Sequence, residues 1–536
     1  MVIAALLLGT TAAPAYSSAA AADTDTGPVG EVEMVPFEAV AEDGTVLRGH
    51  VHKPKGRHAL ATVLTLSPYW NSAIGWGRSA RLSQEGAAFV DAGFAFAAVN
   101  VRGTGASDGC LQFGDELDRG DAYTVIETLA DERWSNGNVG MFGLSYDAWT
   151  QYMAIAADPP ALKAAVPVSG IVDMWSWMAP GGAPETYAPA WMGDWRTFYS
   201  IAPTSAQARP HVDCTGETSA DTSAALELVR TGDRSEFFKD RDLRPLLPGS
   251  DVAVFTTSGM RHLGEYWHNR HYDGLWKYLN PKRSRFLLGQ WGHRYPQGTR
   301  RALMEMVLGW FDHYLRGGPD TVRAGVFEFQ DDRKKWHSSQ TWPPTPVSRT
   351  KLFLSQEKLT PSASAVKKSS VSFRSFVADP GSGCGPGGHL NHHALFVSAP
   401  VKQSATLAGN FELTTEVRSS LPGGNFAAVL YKTSGDGSCS DVSQNAVEVG
   451  RIQLDLQHSK TPGESREFPI GTPTVLRLRS EPLVSSLAHG QRLVLAVGGG
   501  SAHLLPDPLQ PELTIRTGRT TRGVVELPVI RGRLVF

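Results

Sequence analysis

Short apolar runs alternate with stretches of helical spacing along the first part of the chain. DAYTVIETLADERW (121–134) repeats its apolar residues at the spacing of a helix, and WTQYMAIAAD does so after a later apolar run. Strands that alternate with helices favour parallel pairing, so residues 32–320 are predicted to form an α/β domain. The predicted strands are ALATVLTLSP (59–68), FAFAAVNVRG (94–103), NVGMFGLS, ALKAAVPVSG, DVAVFTTSG (251–259) and SRFLLGQWG (284–292).

The alternation stops between about residues 171 and 250, where Trp, Pro, Gly and Ala are frequent. An insertion at the mouth of an α/β sheet usually covers a binding site, so this segment is predicted to form a cap. Its aromatic side chains either line a pocket or pack the cap onto the sheet, and the sequence is compatible with both. The tryptophans of this segment are Trp175, Trp177, Trp191 and Trp195.

After about Asp320 the helical spacing disappears and short alternating segments follow one another to the end of the chain. Turns rich in Gly, Pro, Ser and Asp separate these segments, which include GNFELTTEVRSS, NFAAVLYKTS and QRLVLAVGG. This pattern is typical of an all-β sandwich. Residues 321–536 are therefore predicted to form a second domain, with the boundary between Gly317 and Arg323.

The amino terminus has the pattern of an export signal. An apolar run from Val2 to Leu8 leads into small residues with candidate cleavage sites at 13–15 and 19–22. The run is too short to span a bilayer. Residues 1–22 are therefore predicted to be a signal peptide of a secreted protein, and a disordered Ala-rich tail is the alternative.

Composition and charge exclude some classes of partner. The 536 residues are enough for two or three domains, and no later segment is apolar for long enough to form a transmembrane helix. The formal net charge is −2, so no overall field favours nucleic acid or an anionic membrane. We expect neither nucleic acid nor membrane as a partner.

The chain has four cysteines, Cys110, Cys214, Cys384 and Cys439. A small even number in an exported protein is compatible with two disulfides, and free buried thiols are the alternative. Cys384 and Cys439 lie in Gly/Ser-rich turns, which indicates a disulfide between loops. No cysteine or histidine spacing indicates a metal site.

The segment GMFGLSYDAW (140–149) places a serine between a predicted strand and a predicted helix. A nucleophile elbow requires this context, because its tight turn exposes the serine hydroxyl. Gly143 provides the small residue before Ser145, but Asp147 stands where the motif G-x-S-x-G has its second glycine. Ser145 is therefore a candidate nucleophile, and an ordinary turn serine is the alternative.

The sequence also contains candidates for the general base and the oxyanion-hole donors that a serine nucleophile needs. In this fold order the base follows the last strand, and SRFLLGQWGH places His293 there; a surface histidine is the alternative. An oxyanion hole needs donors, which the backbone N–H of Tyr146 and the phenol of Tyr69 can supply. Tyr69 could instead be structural. The turn VNVRGTGASDG (99–109) lacks the features of a phosphate loop and is predicted to form the floor of the site, with Arg102 in an ion pair.

Four motifs follow one another along the chain: the YW of LSPYW, VRGTGASDG, GLSY and GQWGH. Together and in this order they resemble the motifs of the α/β-hydrolases that include Xaa-Pro dipeptidyl-peptidases and cocaine esterase. The resemblance implies an α/β-hydrolase domain with a helical cap and a C-terminal jelly-roll (galactose-binding-like) domain, which VFEFQDDRKKWHSSQTWPP (326–344) would open. It implies Ser145 as the nucleophile, His293 as the base, and Tyr69 with the Tyr146 N–H as the oxyanion hole. We expect no cofactor and no metal.

The third member of the triad is where the sequence departs from this family. Relatives have a G-x-x-D turn after the penultimate strand, and here His262 stands where the aspartate is expected. A histidine cannot stabilise an imidazolium as a carboxylate does. Glu265, three residues further along the loop, is the favoured substitute, and Asp173 after the preceding strand is the alternative. If neither serves, the enzyme is slow or inactive.

These observations predict a secreted serine hydrolase that forms an acyl-enzyme. Its substrate would be a peptide with an N-terminal X-Pro, or a small ester or amide; for the peptide, Glu185 or Asp194 in the cap would hold the α-amine. The alternative is a secreted binding protein on a catalytically impaired hydrolase scaffold, with the jelly-roll domain as its binding surface.

Overall fold

The computed structural model describes residues 31–70, 82–185, 214–260, 275–294, 297–345, 347–375, 393–500, 504–505, 510–518 and 523–536. The predicted signal peptide at 1–22 lies outside these residues. The described strands form two sheets, one of ten strands and one of thirteen. Both fold classes predicted from the sequence, α/β and then all-β, are therefore confirmed.

The first sheet has the order β1-β2-β4-β3-β5-β6-β7-β8-β9-β10. The pairs β1–β2, β2–β4 and β9–β10 are antiparallel, and the pairs from β4 through β3 to β9 are parallel. The parallel core confirms the pairing expected from alternating strands and helices. The strands are β1 (Val32–Val40), β2 (Val46–Pro54), β3 (Leu60–Ser67), β4 (Ala95–Asn100), β5 (Ser135–Leu144), β6 (Leu162–Val168), β7 (Ala253–Gly259), β8 (Ser284–Gly289), β9 (Val326–Gln330) and β10 (Trp336–Ser339).

Side-chain caps define where the first helices begin. The Ser83 hydroxyl accepts a hydrogen bond from the Gly86 N–H, and the Asp115 carboxylate accepts from the Leu117 and Asp118 N–H groups. No helix of the described residues is both long and apolar enough to cross a membrane. The described helices are α1 (Gln84–Asp91), α2 (Glu116–Ala130), α3 (Tyr146–Ala157), α4 (Met174–Met178), α5 (Thr215–Thr231), α6 (Glu236–Lys239), α7 (Gln297–Arg316) and α8 (Cys439–Asn445).

Helices cover both faces of the first sheet. On one face Val125 of α2 and Trp149 of α3 belong to one buried apolar cluster. On the other face Phe89 of α1 and Phe311 of α7 belong to another. Because both faces are covered, the loops at the carboxyl ends of the parallel strands are where a ligand can bind.

The second sheet encloses its own apolar core, in which Phe396, Leu430 and Leu495 are fully buried. Most of its pairs are antiparallel, as expected for a sandwich built from alternating strands. Its strands are β11 (Ser348–Ser355), β12 (Lys358–Thr360), β13 (Ser369–Arg374), β14 (His393–Ser398), β15 (Ala405–Gly409), β16 (Glu412–Ser419), β17 (Asn425–Thr433), β18 (Val447–Asp455), β19 (Thr474–Arg479), β20 (Leu483–Leu487), β21 (Arg492–Gly498), β22 (Glu512–Thr517) and β23 (Val524–Gly532).

The first sheet extends beyond the predicted domain boundary near residue 320. β9 pairs in parallel with β8, from Arg285 opposite Val326 to Leu288 opposite Phe329, and β10 then pairs with β9. The segment VFEFQ, which the sequence analysis places at the start of the second domain, therefore pairs with the first sheet. Its alternating pattern is typical of a strand in either sheet, so periodicity could not identify its partner. The sheets themselves divide between Ser339 and Ser348.

A buried histidine joins the second sheet to the cap. The side chain of His458 is inaccessible to solvent; its Nε2 lies 3.1 Å from Asp233 Oδ1 and its Nδ1 lies 3.5 Å from Asp455 Oδ2. Asp233 also accepts hydrogen bonds from the Ser465 N–H and hydroxyl, at 2.5 and 3.0 Å. A Cβ on Gly182 would lie 2.1 Å from His458 Nδ1, so a glycine is required there.

We expect the stability of this junction to depend on pH. Burial opposes the charged form of His458, but hydrogen bonds and charges from Asp455 and Asp233 outweigh it and raise the histidine pKa above 6.5. The charged histidine therefore stabilises the fold below the unfolded-state pKa, and this stabilisation is lost as pH rises through the folded-state pKa. Urea denaturation between about pH 6 and pH 9 should show a falling free energy of unfolding. His458→Gln should reduce that slope, and an unchanged slope would contradict the assignment.

Candidate active site

Ser145 lies between β5 and α3 in a strained turn. Its φ is 67° and its ψ is −117°, in a region that residues other than glycine rarely adopt. The Ser145 N–H donates to the Val168 carbonyl at 2.9 Å, and the Ser145 carbonyl accepts from the Trp149 N–H at 3.0 Å. The neighbouring strand and the helix thus hold the strained residue from both sides. An ordinary turn serine would not need this conformation, whereas a nucleophile elbow does.

Small residues allow α3 to lie close to the strands. A Cβ on Gly143 would lie 2.3 Å from the Cβ of Asp147, and a Cβ on Gly170 would lie 2.8 Å from that of Ala148. Both glycines are therefore needed for the helix to approach β5 and the end of β6. Asp147 fits at this position because Gly143 has no side chain, which leaves room for the Asp147 Cβ. The missing second glycine of the motif is thus compatible with an elbow.

Two predicted oxyanion donors lie together beside Ser145. The Tyr146 N–H donates to the Tyr69 phenol oxygen at 3.4 Å, and the two rings meet edge to face with 6.4 Å between their centroids. Tyr146 is buried, and Tyr69 is half-buried at the end of the segment that follows β3. A long hydrogen bond of this kind is easily exchanged for bonds to a substrate oxygen. The structure therefore brings the predicted pair together.

His293 lies on a loop that turns back towards Ser145. The Ser169 hydroxyl donates to the His293 carbonyl at 3.1 Å, and Ser169 directly follows β6, the neighbour of the strand that leads to Ser145. The loop after β8 therefore crosses the end of β7 to reach the end of β6. The structure thus places His293 at the same sheet edge as Ser145.

The loop that follows β7 begins against the histidine loop. The Met260 N–H donates to the Gly289 carbonyl at 2.8 Å, and a Cβ on Gly259 would lie 2.0 Å from the Gly292 carbonyl oxygen. Residues 261–274 follow, and both Glu265 and His262 lie outside the described residues. The predicted acid Glu265 therefore stays a prediction; the described residues that lead towards it, Gly259 and Met260, lie beside the loop of His293.

Asp173, the alternative acid, is fully buried in a cluster of charged residues. Its Oδ2 lies 2.6 Å from Arg244 Nη2, its Oδ1 lies 3.6 Å from Arg234 Nη2, and the Ser176 hydroxyl also donates to it. Burial raises the pKa of the Asp173 carboxyl, and the charges of Arg244 and Arg234 oppose this rise. Both arginines also pair with Asp242. Asp173 therefore stabilises the cap through these ion pairs. Its position among the arginines does not support a role beside His293.

A buried ion pair supports the glycine-rich turn. As the sequence predicts, Arg102 is in an ion pair: its Nε and Nη2 lie 2.6 and 2.5 Å from the two carboxylate oxygens of Asp121, and its Nη1 lies 2.9 Å from Asp43. Near this pair, burial and the charges of Asp115 and Asp121 raise the pKa of Asp118 to about 7. These contacts hold the glycine-rich turn in place, and its role as the floor of the site stays a prediction.

A disulfide between Cys110 and Cys214 joins the glycine-rich turn to the start of α5. These two sulfurs and Glu217 form the one group of potential metal ligands found among the described residues, and the disulfide leaves no thiolate to bind a metal. Cys439 is also disulfide-bonded, and its predicted partner Cys384 lies outside the described residues. A pairing of Cys439 with Cys384 stays a prediction.

Sequence analysis missed two hydroxyl groups that organise the site. The Ser67 Oγ accepts from the Tyr69 N–H at 3.0 Å, at the start of the segment that carries a predicted oxyanion donor. Ser169 holds the carbonyl of His293. Both serines stand at the carboxyl ends of parallel strands, in LTLSP and PVSG, where such a signal could have been found.

Comparison with known families accounts for most of the chain. Residues 43–295 match the X-Pro dipeptidyl-peptidase (S15 family) model. Residues 322–524 match the X-Pro dipeptidyl-peptidase C-terminal non-catalytic domain. The first match contains every predicted site residue, Tyr69, Ser145, Tyr146, Glu265 and His293.

Individual relatives give the same result. A Streptomyces avermitilis protein named as a Xaa-Pro dipeptidyl-peptidase is 25% identical over 508 residues, which cover 84% of this chain and 73% of that protein. The cocaine esterase of a Rhodococcus species is 31% identical over 154 residues, or 28% of this chain and 25% of the esterase. The solved structure of a CocE/NonD family hydrolase from Staphylococcus aureus superimposes with a TM-score of 0.74 at 17% identity, covering 94% of this chain and 97% of that one. The structural likeness concerns the fold.

Proposed function

The chain belongs to the S15 family of X-Pro dipeptidyl-peptidases and is a serine hydrolase, and from this premise we propose that it works through an acyl-enzyme on Ser145. One observation carries the proposal. Ser145 has the strained backbone of an elbow, and the Tyr146 N–H and Tyr69 phenol meet beside it. A nucleophile next to two fixed donors is the arrangement that acyl transfer requires.

The proposed reaction has two stages. The Ser145 hydroxyl attacks the substrate carbonyl while His293 takes its proton, and the oxyanion accepts hydrogen bonds from the Tyr146 N–H and the Tyr69 phenol. His293 then protonates the leaving group, which departs and leaves the acyl-enzyme. Water, activated by His293, releases the acid and restores Ser145. Glu265 is proposed to stabilise the histidine while it is charged.

Two substrate classes fit this chemistry, X-Pro peptides and small esters or amides. The relatives carry names of both kinds, a Xaa-Pro dipeptidyl-peptidase and a cocaine esterase. Of the two cap acids predicted to hold an α-amine, Glu185 is fully buried, and Asp194 lies outside the described residues. The described part of the site therefore supports acyl hydrolysis in general.

The substrate class is decided by comparing hydrolysis of Ala-Pro-p-nitroanilide with that of p-nitrophenyl acetate. A peptidase should cleave Ala-Pro-p-nitroanilide and lose this activity when the α-amine is acetylated, because the amine is what the enzyme would bind. An esterase should hydrolyse the acetate and leave both anilides intact. Hydrolysis of none of these by the wild-type protein, with equal background in Ser145→Ala, would contradict the proposed function.

We expect Tyr69→Phe to lower kcat for an ester substrate by about 10²-fold and to leave KM nearly unchanged, because the lost hydrogen bond forms in the transition state. Tyr123→Phe, which removes an exposed phenol on α2, is the matched control. Steady-state kinetics with p-nitrophenyl esters measures both constants. Equal kcat values for the two variants would show that the Tyr69 hydroxyl is not an oxyanion donor.

Export of the protein is proposed from the predicted signal peptide at 1–22 and from the cysteines. Disulfides persist mainly outside the reducing cytosol, and the Cys110–Cys214 disulfide supports such a location. Expression of the full chain in a secreting bacterium tests this proposal by amino-terminal sequencing of the protein in the medium. A processed start near residue 23 is expected. Retention of the whole chain inside the cell would contradict export.

A further inference from the structure

Side-chain hydrogen bonds prolong the strand that leads to the general base. The parallel pairing of β8 with β9 ends at Leu288 opposite Phe329. Gln290 continues this pairing beyond the strand: its N–H donates to the Gln330 Oε1 at 3.3 Å, and its side-chain amide donates to the Gln330 carbonyl at 2.7 Å. Gln290 is buried and lies three residues before His293. The segment that carries the base is therefore bonded to the end of β9.

The turn between β9 and β10 closes a ring of hydrogen bonds on Gln290. The Gln330 side chain donates to the Lys334 carbonyl at 3.1 Å, and the Lys334 ammonium donates to the Gln290 carbonyl at 3.0 Å. Lys334 has a φ of 64°, which residues other than glycine rarely adopt. The buried Asp331 holds this conformation: its carbonyl accepts from the Lys334 N–H at 2.9 Å and its Oδ1 accepts from the Lys335 N–H at 3.0 Å. The N–H, the carbonyl and the side-chain amide of Gln290 are thus all bonded to this one turn.

The same turn is anchored on the second sheet through Asp332. Its Oδ2 pairs with the Lys432 ammonium and accepts from the Ser485 hydroxyl at 2.9 Å. Its Oδ1 accepts from the Ser486 N–H at 2.9 Å, and the Lys432 ammonium also donates to the Ser486 carbonyl at 2.8 Å. Lys432 lies on β17 and the two serines lie on β20, and all three are buried. The turn therefore connects the second sheet to the segment of the general base.

The segment from Gln290 to His293 is held at its other end as well. The Ser169 hydroxyl donates to the His293 carbonyl at 3.1 Å. Between the two ends, the ring of Trp291 lies 6.0 Å from that of Trp336 on β10. A general base must stay within hydrogen-bond reach of the nucleophile, and a displacement of about 1 Å can lower the rate by about 10²-fold. The bonds at Gln290 therefore bear on the position of the imidazole.

We propose that Gln290 is a positioning residue for the general base, and that Asp332 makes the second sheet part of the same support. The second domain, whose family model is described as non-catalytic, then contributes to kcat through the position of His293. The inference rests on the proposed role of His293 in the reaction at Ser145.

Ester hydrolysis by Gln290→Met tests the first half of the proposal. Methionine keeps the length of the side chain and removes its amide donors. We expect kcat to fall about tenfold with KM within about twofold, because the base is displaced while the substrate site is kept. In a His293→Ala background, where no imidazole remains to be positioned, Gln290→Met should lower the residual rate less than about twofold further. A purely structural effect would persist in that background and would overturn the proposal.

The double variant Asp332→Ala/Lys432→Met tests the anchor on the second sheet. Removing both charges leaves no buried ammonium without its carboxylate. We expect a fall in kcat of about fivefold to tenfold on the folded fraction, with KM within about twofold. Added to Gln290→Met, the double variant should cost less than about twofold more, because both changes act through the same turn. Full additivity of the two would contradict the proposed connection.

The exposed lysines of the turn provide matched variants that leave the core intact. Lys334→Met, which removes the donor to the Gln290 carbonyl, should lower kcat about threefold. Lys334→Arg keeps a donor and should restore most of this loss, and Lys335→Met is the control and should have the wild-type kcat. If Gln290→Met does not fold, these variants give the test. Wild-type kcat in Lys334→Met, or an equal loss in Lys335→Met, would overturn the proposal.

The inference and the proposed function fail in distinguishable ways. If the wild type shows no Ser145-dependent labelling by a fluorophosphonate, the proposed function fails. If the wild type is labelled and His293→Ala is slow, but Gln290→Met turns over at the wild-type rate, only the inference about Gln290 fails.

Discussion

Ser145→Ala should lower kcat for every substrate that the protein hydrolyses by about 10⁵- to 10⁶-fold, because loss of a triad nucleophile leaves only binding and the oxyanion hole. The fold should be unaffected. Alanine lacks only the hydroxyl, and the hydrogen bonds that hold the turn are made by the Ser145 backbone. Turnover of p-nitrophenyl acetate and of Ala-Pro-p-nitroanilide measures the loss, with thermal melting as the test of folding.

A fluorophosphonate probe tests the same residue independently of the substrate. The wild type should be labelled at Ser145, and Ser145→Ala should not be labelled. Ser362→Ala, which changes an exposed serine between the strands of the second sheet, is the matched control and should be labelled normally. Equal labelling of the wild type and Ser145→Ala would favour the alternative of a binding protein on an impaired hydrolase scaffold.

The elbow could be predicted from the sequence because its signals are local. A buried strand, a Gly-x-Ser turn and a helix follow one another within about twenty residues, and each has its own pattern. The order of the candidates along the chain then located His293 after the last predicted strand. The sequence pattern could not show whether Asp147 is compatible with an elbow. Asp147 fits because Gly143 has no side chain where the Asp147 Cβ lies, and this contact is visible only in the three-dimensional structure.

Contacts between distant segments could not be predicted. Ser169 and His293 are 124 residues apart, and nothing in the sequence near either residue indicates that the Ser169 hydroxyl donates to the His293 carbonyl. His458 reaches Asp233 across the junction of the second sheet and the cap, and no periodicity marks either residue. VFEFQ shows the same limit for strands: alternation predicts that a strand forms, but long-range pairing decides which sheet it joins.

Glu265→Gln should lower kcat for a p-nitrophenyl ester by about 10⁴-fold, the loss expected when a triad base no longer has a carboxylate to stabilise its charged form. Asp173→Asn should instead act on stability. The Asp173 carboxylate is buried against Arg234 and Arg244, and removing one partner of such a cluster costs up to about 3 kcal/mol. Its kcat, measured on the folded fraction, should stay within about threefold of the wild type.

The two variants together identify the acid. Kinetics with a p-nitrophenyl ester and thermal melting of each variant separate a catalytic loss from a structural one. The reverse ranking, a slow but stable Asp173→Asn beside an active Glu265→Gln, would give the role to Asp173 in spite of its arginine partners. If both variants keep the wild-type kcat, His293 works without a carboxylate, because His262 replaces the aspartate of the family and no other acid takes over. In that case the wild type itself should turn over about 10⁴-fold more slowly than a His262→Asp variant, which restores the G-x-x-D turn.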